Sequence, residues 1–306
     1  MRRRFGDWWN HHWFEAEDAR NLAVARILAA TVALWVLLSQ DRAGVSALPS
    51  EFWSGVAVST RWRYLLFPGN ESLERLLTWL LVALLLGALL GVRPRLCAFG
   101  SALLLYHLAP LESIIWTPSP EARGLTLATL TLLLCGIAPS GDALAIGRLG
   151  TGDAAGAKRS SWRYGWPLRL IQLSLVSVYF FSGIAKLRSD GLAWGSAENI
   201  SHWLRFMTQN DLTAKYHSLG GWMADHALVA GAIGVGTLVF EVSSPAALFM
   251  RRLRPWFALI AILFHAGIYF AMNITLNSWP LLLIFVDWGA LGARRRRRKA
   301  AAQSCR

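Results

Sequence analysis

The sequence predicts an all-α, polytopic membrane bundle of about eight spans, with the N- and C-termini on the cytoplasmic side. Three observations predict this fold. Of the 306 residues, 55% are hydrophobic and only 16% are charged, which is more apolar than one soluble core requires. The apolar residues come in blocks, and several blocks reach the roughly 20 residues that a helix needs to cross the hydrocarbon core. Lysine and arginine concentrate in alternate loops between the blocks.

The apolar blocks follow one another along the chain and are separated by helix-breaking residues, for example the prolines on either side of Ser119 and the small polar residues of 140–161. Residues 1–20, rich in tryptophan, are predicted to form an amphipathic segment at the membrane interface. Residues 21–293 are predicted to form the transmembrane domain, and 294–306 a basic cytoplasmic tail. The predicted spans lie near residues 21–39, 75–92, 96–116, 122–139, 167–187, 227–249, 255–275 and 278–293.

Basic residues set the orientation of the predicted bundle and its lipid partner. With the N-terminus inside, the inner segments hold about 21 lysines and arginines and the outer segments about 8. Because basic loops stay cytoplasmic, both termini are placed inside and the number of spans is even. The formal charge of +13 indicates contact with anionic lipid at the cytoplasmic face of the membrane, and no nucleic acid is expected as a partner. The sequence does not indicate an oligomeric state.

Two predicted outer segments, residues 40–74 and 188–226, are longer than turns and rich in aromatic residues. Tryptophan and tyrosine are enriched at membrane interfaces. Both segments are therefore predicted to pack on the membrane surface, where they would roof a cavity.

Three ionisable residues in the predicted spans are candidates for catalysis, because such groups are costly in the hydrocarbon layer and usually line functional sites. Lys186 ends its span at the outer edge, where a lysine serves as a base, nucleophile or anion anchor or simply extends to the surface. Glu241 lies in the middle of its span and must be protonated, paired or in a polar cavity. His265 is central in the penultimate span, where it relays protons, binds a ligand or only packs in the core.

Two further residues, His107 and Glu112, are predicted to contact a substrate. Five positions separate them, which is about 140° around a helix, so they face different directions and form no metal site. No metal is expected elsewhere. Glu112 lies at the depth inferred for Lys186, which allows a contact between the two. Arg26, near the inner end of the first span, is predicted to extend its guanidinium to the interface.

One stretch of the sequence resembles a known family. Residues 166–172 are WPLRLIQ, residues 179–187 are YFFSGIAKL, and Trp-Gly follows at 194–195. This is similar to the pattern WPLRLxQ, YxxxGxxKL, WxxG of the HTTM family, the horizontally transferred transmembrane domain related to the membrane part of vitamin K-dependent γ-carboxylase. Weaker similarity around Glu241 and His265 extends the resemblance over residues 160–290.

The resemblance implies that Lys186 is the counterpart of the carboxylase lysine that is taken to deprotonate a reduced quinone at the lumenal side. Tyr179 and Trp194 belong to the same pattern and are expected to bind substrate. A reduced, vitamin K-like quinone is the expected cofactor. Ala185 stands where the carboxylase has a second lysine, and an arginine run takes the place of its large lumenal domain, so carboxylation of proteins is not expected.

The resemblance therefore implies an enzyme of a bacterial inner membrane, of the carboxylase or epoxidase type, which would be a quinol-linked lyase or oxidoreductase. It would use Lys186 as a base on a lipid-soluble small molecule, with Glu241 and His265 tuning protonation. A proton-coupled transporter with Glu241 and His265 as an ion relay is one alternative, and a membrane scaffold or assembly factor is the other. No GxxxxGK[ST] or GxSxG motif occurs, so nucleotide-driven or triad chemistry is not indicated.

Overall fold

A computed structural model describes residues 2–39, 71–115, 120–146, 160–210, 217–294 and 303. The described chain is mostly helical, which confirms the all-α class. It forms two compact units, one of Met1–Ile171 with Asp287–Arg306 and the other of Gln172–Val286. A short antiparallel pair of strands, β1 (Glu17–Asp18) and β2 (Ser160–Ser161), lies in the first unit.

Among the described residues, the first unit contains five helices, the beginning of a sixth and a separate α-helical stretch at residues 288–294. In it, α2 (Ala19–Ser39) packs against α3 (Glu71–Leu90) and α5 (Pro120–Ile137). Helix α4 (Pro94–Ile115) packs against the same two helices. A small residue brings α4 and α5 close together, because a Cβ on Gly136 would lie only 2.8 Å from the backbone nitrogen of Phe99. The remaining labelled helices are α1 (Arg2–Trp13) and α6 (Trp162–Asp190), which begins in this unit.

The second unit contains the rest of α6 and the elements that follow it. Here α7 (Ala197–Asn210) packs against α8 (His217–Asp225) and α9 (Ala227–Ser243). Helix α8 also packs against α11 (Arg254–Met272). Short 3-10 helices at Gly191–Gly195, Arg251–Leu253 and Trp279–Phe285 interrupt the α-helices. The short helix α10 (Ala246–Phe249) lies between α9 and α11 in the chain.

The protein is a multi-pass membrane protein by the length and composition of its helices. Among the described residues, four helices are long and apolar enough to cross a membrane: Ala19–Ser39, Ser72–Leu90, Trp162–Gly195 and Arg251–Met272. A fifth is added if Leu219–Asp225 and Ala227–Ser243, which are bent by 101°, count as one span. Helices lie at the first seven predicted spans, but the total of about eight crossings and the cytoplasmic termini stay predictions.

Both predicted outer segments can be compared with the structure only in part. Residues 40–70 lie outside the described residues, and 71–74 form the first turn of α3. Residues 188–226 contain the end of α6, a 3-10 helix, α7 and α8. The described part of the second segment is therefore built mainly from helices.

Residues 278–293, predicted as one span, do not form a single helix. Trp279–Phe285 is a 3-10 helix, and residues 288–294 form a separate α-helical stretch. Asp287 separates the two, and its Oδ1 accepts a hydrogen bond from the backbone N–H of Ala290 at 3.0 Å. This is the contact of an N-cap residue, which starts a new helix.

Arg26 does not extend to the interface, so that prediction was wrong. Its side chain is fully buried, and its guanidinium donates hydrogen bonds to the carbonyl oxygen of Ser140 and, at 2.7 Å, to that of Leu144. Both carbonyls lie in the turns that follow the C-terminal end of α5, outside any helix. The guanidinium is held inside because it satisfies these backbone acceptors.

Candidate functional site

Lys186 and Glu241 form an ion pair between α6 and α9. The Lys186 Nζ lies 2.6 Å from Oε1 and 2.7 Å from Oε2 of Glu241, so it donates to both carboxylate oxygens. The Glu241 side chain is 4% exposed and that of Lys186 is 22% exposed. A carboxylate this deeply buried needs a partner. The structure supplies Lys186, which also makes the two predicted catalytic residues neighbours.

A glycine on α6 allows this contact. Tyr179, Gly183 and Lys186 follow each other at intervals of four and three residues, which places them on one face of the helix. A Cβ on Gly183 would lie 2.9 Å from the Glu241 Cβ and 3.2 Å from the Val242 backbone nitrogen. Only glycine leaves room for α9 at this distance, so Gly183 brings the carboxylate within reach of Lys186.

Glu241 lies in the last turn of α9, which ends at Ser243, and not in the middle of a continuous span over 227–249. Ser244 and Pro245 form a turn before α10 begins, and the Ser244 hydroxyl donates to the Glu241 carbonyl at 2.8 Å. The C-terminal end of a helix carries partial negative charge, which favours a cation nearby. Lys186 therefore meets both a carboxylate and the negative end of α9.

Trp194 covers the amine of Lys186. The Lys186 Nζ lies 4.9 Å from the centre of the Trp194 ring, within the range of a cation–π contact. The Trp194 carbonyl accepts a hydrogen bond from Asn199 Nδ2 at 2.6 Å. The next residue, Gly195, packs against α9, since a Cβ there would lie 3.2 Å from the carbonyl carbon of Gly234. These contacts fix the short 3-10 helix that carries the tryptophan.

Tyr179 and His265 form a second polar pair, between α6 and α11. The Tyr179 hydroxyl lies 2.6 Å from the His265 Nε2, while the buried Nδ1 of His265 has no hydrogen-bond partner among the described residues. Aromatic rings surround the pair. The ring of Tyr179 lies 5.3 Å from that of Phe240 and 5.6 Å from that of Phe257, and edge-on packing of this kind is favourable.

Glu241 and His265 are not hydrogen-bonded to each other in the described structure. Glu241 binds Lys186 and His265 binds Tyr179, so both contacts are made to the same face of α6. The relay that the transporter hypothesis required between the two residues is therefore not a direct contact.

The remaining predicted site residues lie in the first unit. His107 Nε2 is 3.2 Å from Oε1 of Glu74, and both side chains are largely buried. Glu112 belongs to α4, but its side chain lies outside the described part of the structure. Sequence analysis missed Glu74 because the predicted span began one residue after it. Among the described residues, no group of three or more histidine, cysteine or acidic side chains is arranged to hold a metal ion.

A groove of about 730 Å³ lies between α7 and the junction of α8 with α9. Its lining includes Glu198, His202 and Asp225 but none of the residues predicted to be catalytic. Residues of the segment 188–226 thus line this groove, and neither Lys186 nor Glu241 is among the residues that line it. That the segment packs on the membrane surface and roofs a cavity stays a prediction.

The Lys186 pair can exchange one proton internally. As an ammonium and a carboxylate, it satisfies both groups by charge-assisted hydrogen bonds. Transfer of one proton from Nζ to Glu241 leaves an amine and a carboxylic acid, and the amine then has a lone pair with which to act as a base. Removal of two charges from a poorly solvated position partly offsets the loss of the ion pair.

Comparison with known proteins identifies one family. The family model described as HTTM domain matches residues 14–288. No curated protein and no solved structure matches the chain. The matched residues include Lys186, Glu241, Tyr179, Trp194 and His265.

Proposed function

The chain belongs to the HTTM domain family, and from this premise we propose that it is a membrane enzyme that uses Lys186 as a base on a membrane-soluble substrate such as a reduced quinone. The observation that carries the proposal is the two-oxygen contact of Lys186 with a carboxylate that is 4% exposed. A lysine at the end of a helix could reach water without such a partner. Here it is held inside the protein beside a proton acceptor.

The proposed step begins with the proton that Lys186 and Glu241 share. Glu241 takes this proton, which leaves the Lys186 amine neutral. The amine then accepts a proton from an acidic O–H group of the substrate, so one O–H bond breaks and one N–H bond forms. Glu241 is in this scheme a proton store, and Trp194 stabilises the ammonium that is formed.

The residues near the pair fit a quinol. An aromatic ring with two hydroxyl groups requires apolar surface together with a few hydrogen-bonding groups. Phe240, next to Glu241, packs on Tyr179 and lies 5.6 Å from the ring of Phe264, which provides such a surface. The hydroxyl of Tyr179 and the unpaired Nδ1 of His265 provide polar contacts. A bound quinol would supply the acidic hydroxyl and the electrons for the reaction.

The proposal includes the location of the chemistry. The asymmetry of about 21 basic residues against about 8 supports about eight spans with both termini in the cytoplasm. In this topology α6 runs outward, and Lys186, four residues before its end at Asp190, lies toward the outer leaflet. We place the enzyme in the inner membrane, with a substrate that enters from lipid.

The test uses the full chain in liposomes that contain a reduced naphthoquinone, with oxygen and carbon dioxide controlled separately. Consumption of the quinol is followed by chromatography. We expect Lys186→Ala to lower turnover about 100-fold, the smaller effect typical of losing a general base. Arg188→Ala is the matched control, because Arg188 is an exposed cation on the same helix.

Three outcomes oppose the proposal. Turnover that is unchanged in Lys186→Ala removes the base role. A Glu241-dependent flux across sealed vesicles without any chemical product supports transport instead. If no quinol is consumed and neutral substitution of Lys186, Glu241 and His265 leaves the cellular phenotype intact in folded protein, the chain acts as a scaffold.

A further inference from the structure

The groove beside α7 has one polar wall with a regular spacing. Glu198, His202 and Arg205 occupy positions four and three residues apart on α7, so they form one stripe along the helix. All three are exposed, and all three line the groove. The opposite wall is the end of α8 and the start of α9, including Asp225.

The bend between α8 and α9 indicates where this groove lies in relation to the membrane. The two helices meet at 101°, so only one of them can run along the membrane normal. The sequence of α9 has no charged residue before Glu241, which makes α9 the helix that enters the hydrocarbon. Helix α8 then runs along the membrane plane, and the groove at the α8–α9 junction lies at the interface between lipid and water.

Exposed aromatic residues support an interfacial position. Trp203 and Phe206 on α7 are 42% and 47% exposed, and Trp222 on α8 is 51% exposed. The rings of Trp203 and Phe206 are 5.9 Å apart and border the polar stripe of α7. An apolar edge next to charged groups is the arrangement that an amphiphile meets at a membrane interface.

The charges in the groove distinguish between headgroups. Arg205 Nη2 lies 2.9 Å from Oδ1 of Asp225, and both side chains are more than half exposed, so this pair is weak. Glu198 shows no ion pair with another described residue. The groove thus offers a guanidinium, an imidazole and two carboxylates, of which Asp225 lies beside the guanidinium and Glu198 has no cation among the described residues. These groups complement a ligand that carries a phosphate and an ammonium at once.

We propose that this groove binds the phosphoethanolamine headgroup of a phospholipid. The phosphate accepts hydrogen bonds from Arg205 and from His202, and the primary ammonium donates to the Glu198 carboxylate. The acyl chains leave along Trp203 and Phe206. The site goes beyond the proposed enzyme function, because none of the residues assigned to proton transfer lines it, and it gives α7 a structural lipid at the membrane surface.

The test measures binding of three short-chain lipids to the purified full chain in detergent. Phosphatidylethanolamine carries the ammonium with N–H donors, phosphatidylcholine carries a cation without N–H donors, and phosphatidylglycerol carries no cation. We expect phosphatidylethanolamine to bind about tenfold more tightly than the other two, the effect of one charge-assisted hydrogen bond. Glu198→Gln removes this preference, and Arg205→Gln weakens binding of all three lipids.

Matched controls and contrary outcomes keep the test decisive. Arg188→Gln and Asp190→Asn change exposed charges at the end of α6 and leave the preference unchanged. Equal binding of the three lipids, or a preference that persists in Glu198→Gln, overturns the proposal. Stronger binding of phosphatidylglycerol that depends on Arg205 shows a general anion site and also overturns it. Quinol turnover is measured on the same variants and stays at the level of the unmodified protein.

Discussion

Removal of both members of the Lys186–Glu241 pair is expected to cost less than the sum of the two single removals. Lys186→Met leaves a carboxylate that is 4% exposed without its cation. Loss of one partner of a buried pair costs about 3–5 kcal/mol. We expect about 3 kcal/mol here, because 22% of the Lys186 side chain is exposed and the protein does not fully enclose the pair. Glu241→Gln leaves the more accessible ammonium behind and costs about 1–2 kcal/mol.

The double variant Lys186→Met with Glu241→Gln leaves no unpaired charge. The loss in its free energy of unfolding is therefore expected to be about 2 kcal/mol smaller than the sum of the two single losses. This coupling is within the usual range for residues in contact. Each free energy is measured by titration of the purified protein in mixed micelles with a denaturing detergent. Additive losses, to within about 0.5 kcal/mol, would refute the ion pair and with it the source of the proposed base.

Three further predictions concern the contacts around this pair and the buried arginine. Gly183→Ala is expected to lower stability by about 1–3 kcal/mol through overpacking against α9. The control is Gly236→Ala, where a Cβ meets nothing within 4 Å, and this variant is expected to be neutral or stabilising. Thermal melting of both variants measures the difference, and equal melting temperatures would contradict the close contact at Gly183. Tyr179→Phe removes one hydrogen bond and is expected to cost about 1 kcal/mol, measured by the same melting curves and contradicted by an unchanged midpoint. Arg26→Met leaves the Ser140 and Leu144 carbonyls without their donor and is expected to cost at least about 2 kcal/mol. The loss is measured by detergent unfolding with the exposed Arg188→Met as control, and equal effects of the two would contradict the burial of Arg26.

Hydrophobic blocks predict this fold well wherever one block is one helix. The span predicted at residues 21–39 and the helix Ala19–Ser39 end at the same residue and begin two residues apart. They agree because the apolar run occupies almost the whole helix. Residues 278–293 show where this inference fails. The run is long enough for a span, but Asp287 caps a new helix inside it, and a mean hydropathy does not record the position of one capping side chain.

The candidate site could be predicted residue by residue but not as pairs. Lys186 and Glu241 were each identified as ionisable residues in an apolar environment, yet they are 55 residues apart in the chain and on different helices. Sequence analysis instead considered Glu112 as the partner of Lys186, because a sequence allows two residues on different spans to be compared only by their depth in the membrane. Gly183, one turn before the lysine, was the usable signal, since a small residue on a membrane helix marks a close approach to another helix.

The arrangement on α6 explains why one helix face serves both polar pairs. Tyr179 and Lys186 are seven residues apart, which is about 10 Å along the helix and nearly the same direction around it. Gly183 lies between them and holds α9 close, and Phe240, the neighbour of Glu241, packs on the Tyr179 ring. A flat aromatic substrate that replaces part of this packing would lie between the Lys186 amine and the Tyr179 hydroxyl. A small shift of α9 away from α6 would therefore open the Lys186–Glu241 contact and lift Phe240 from the Tyr179 ring, which makes the packing at Gly183 a determinant of access as well as of stability.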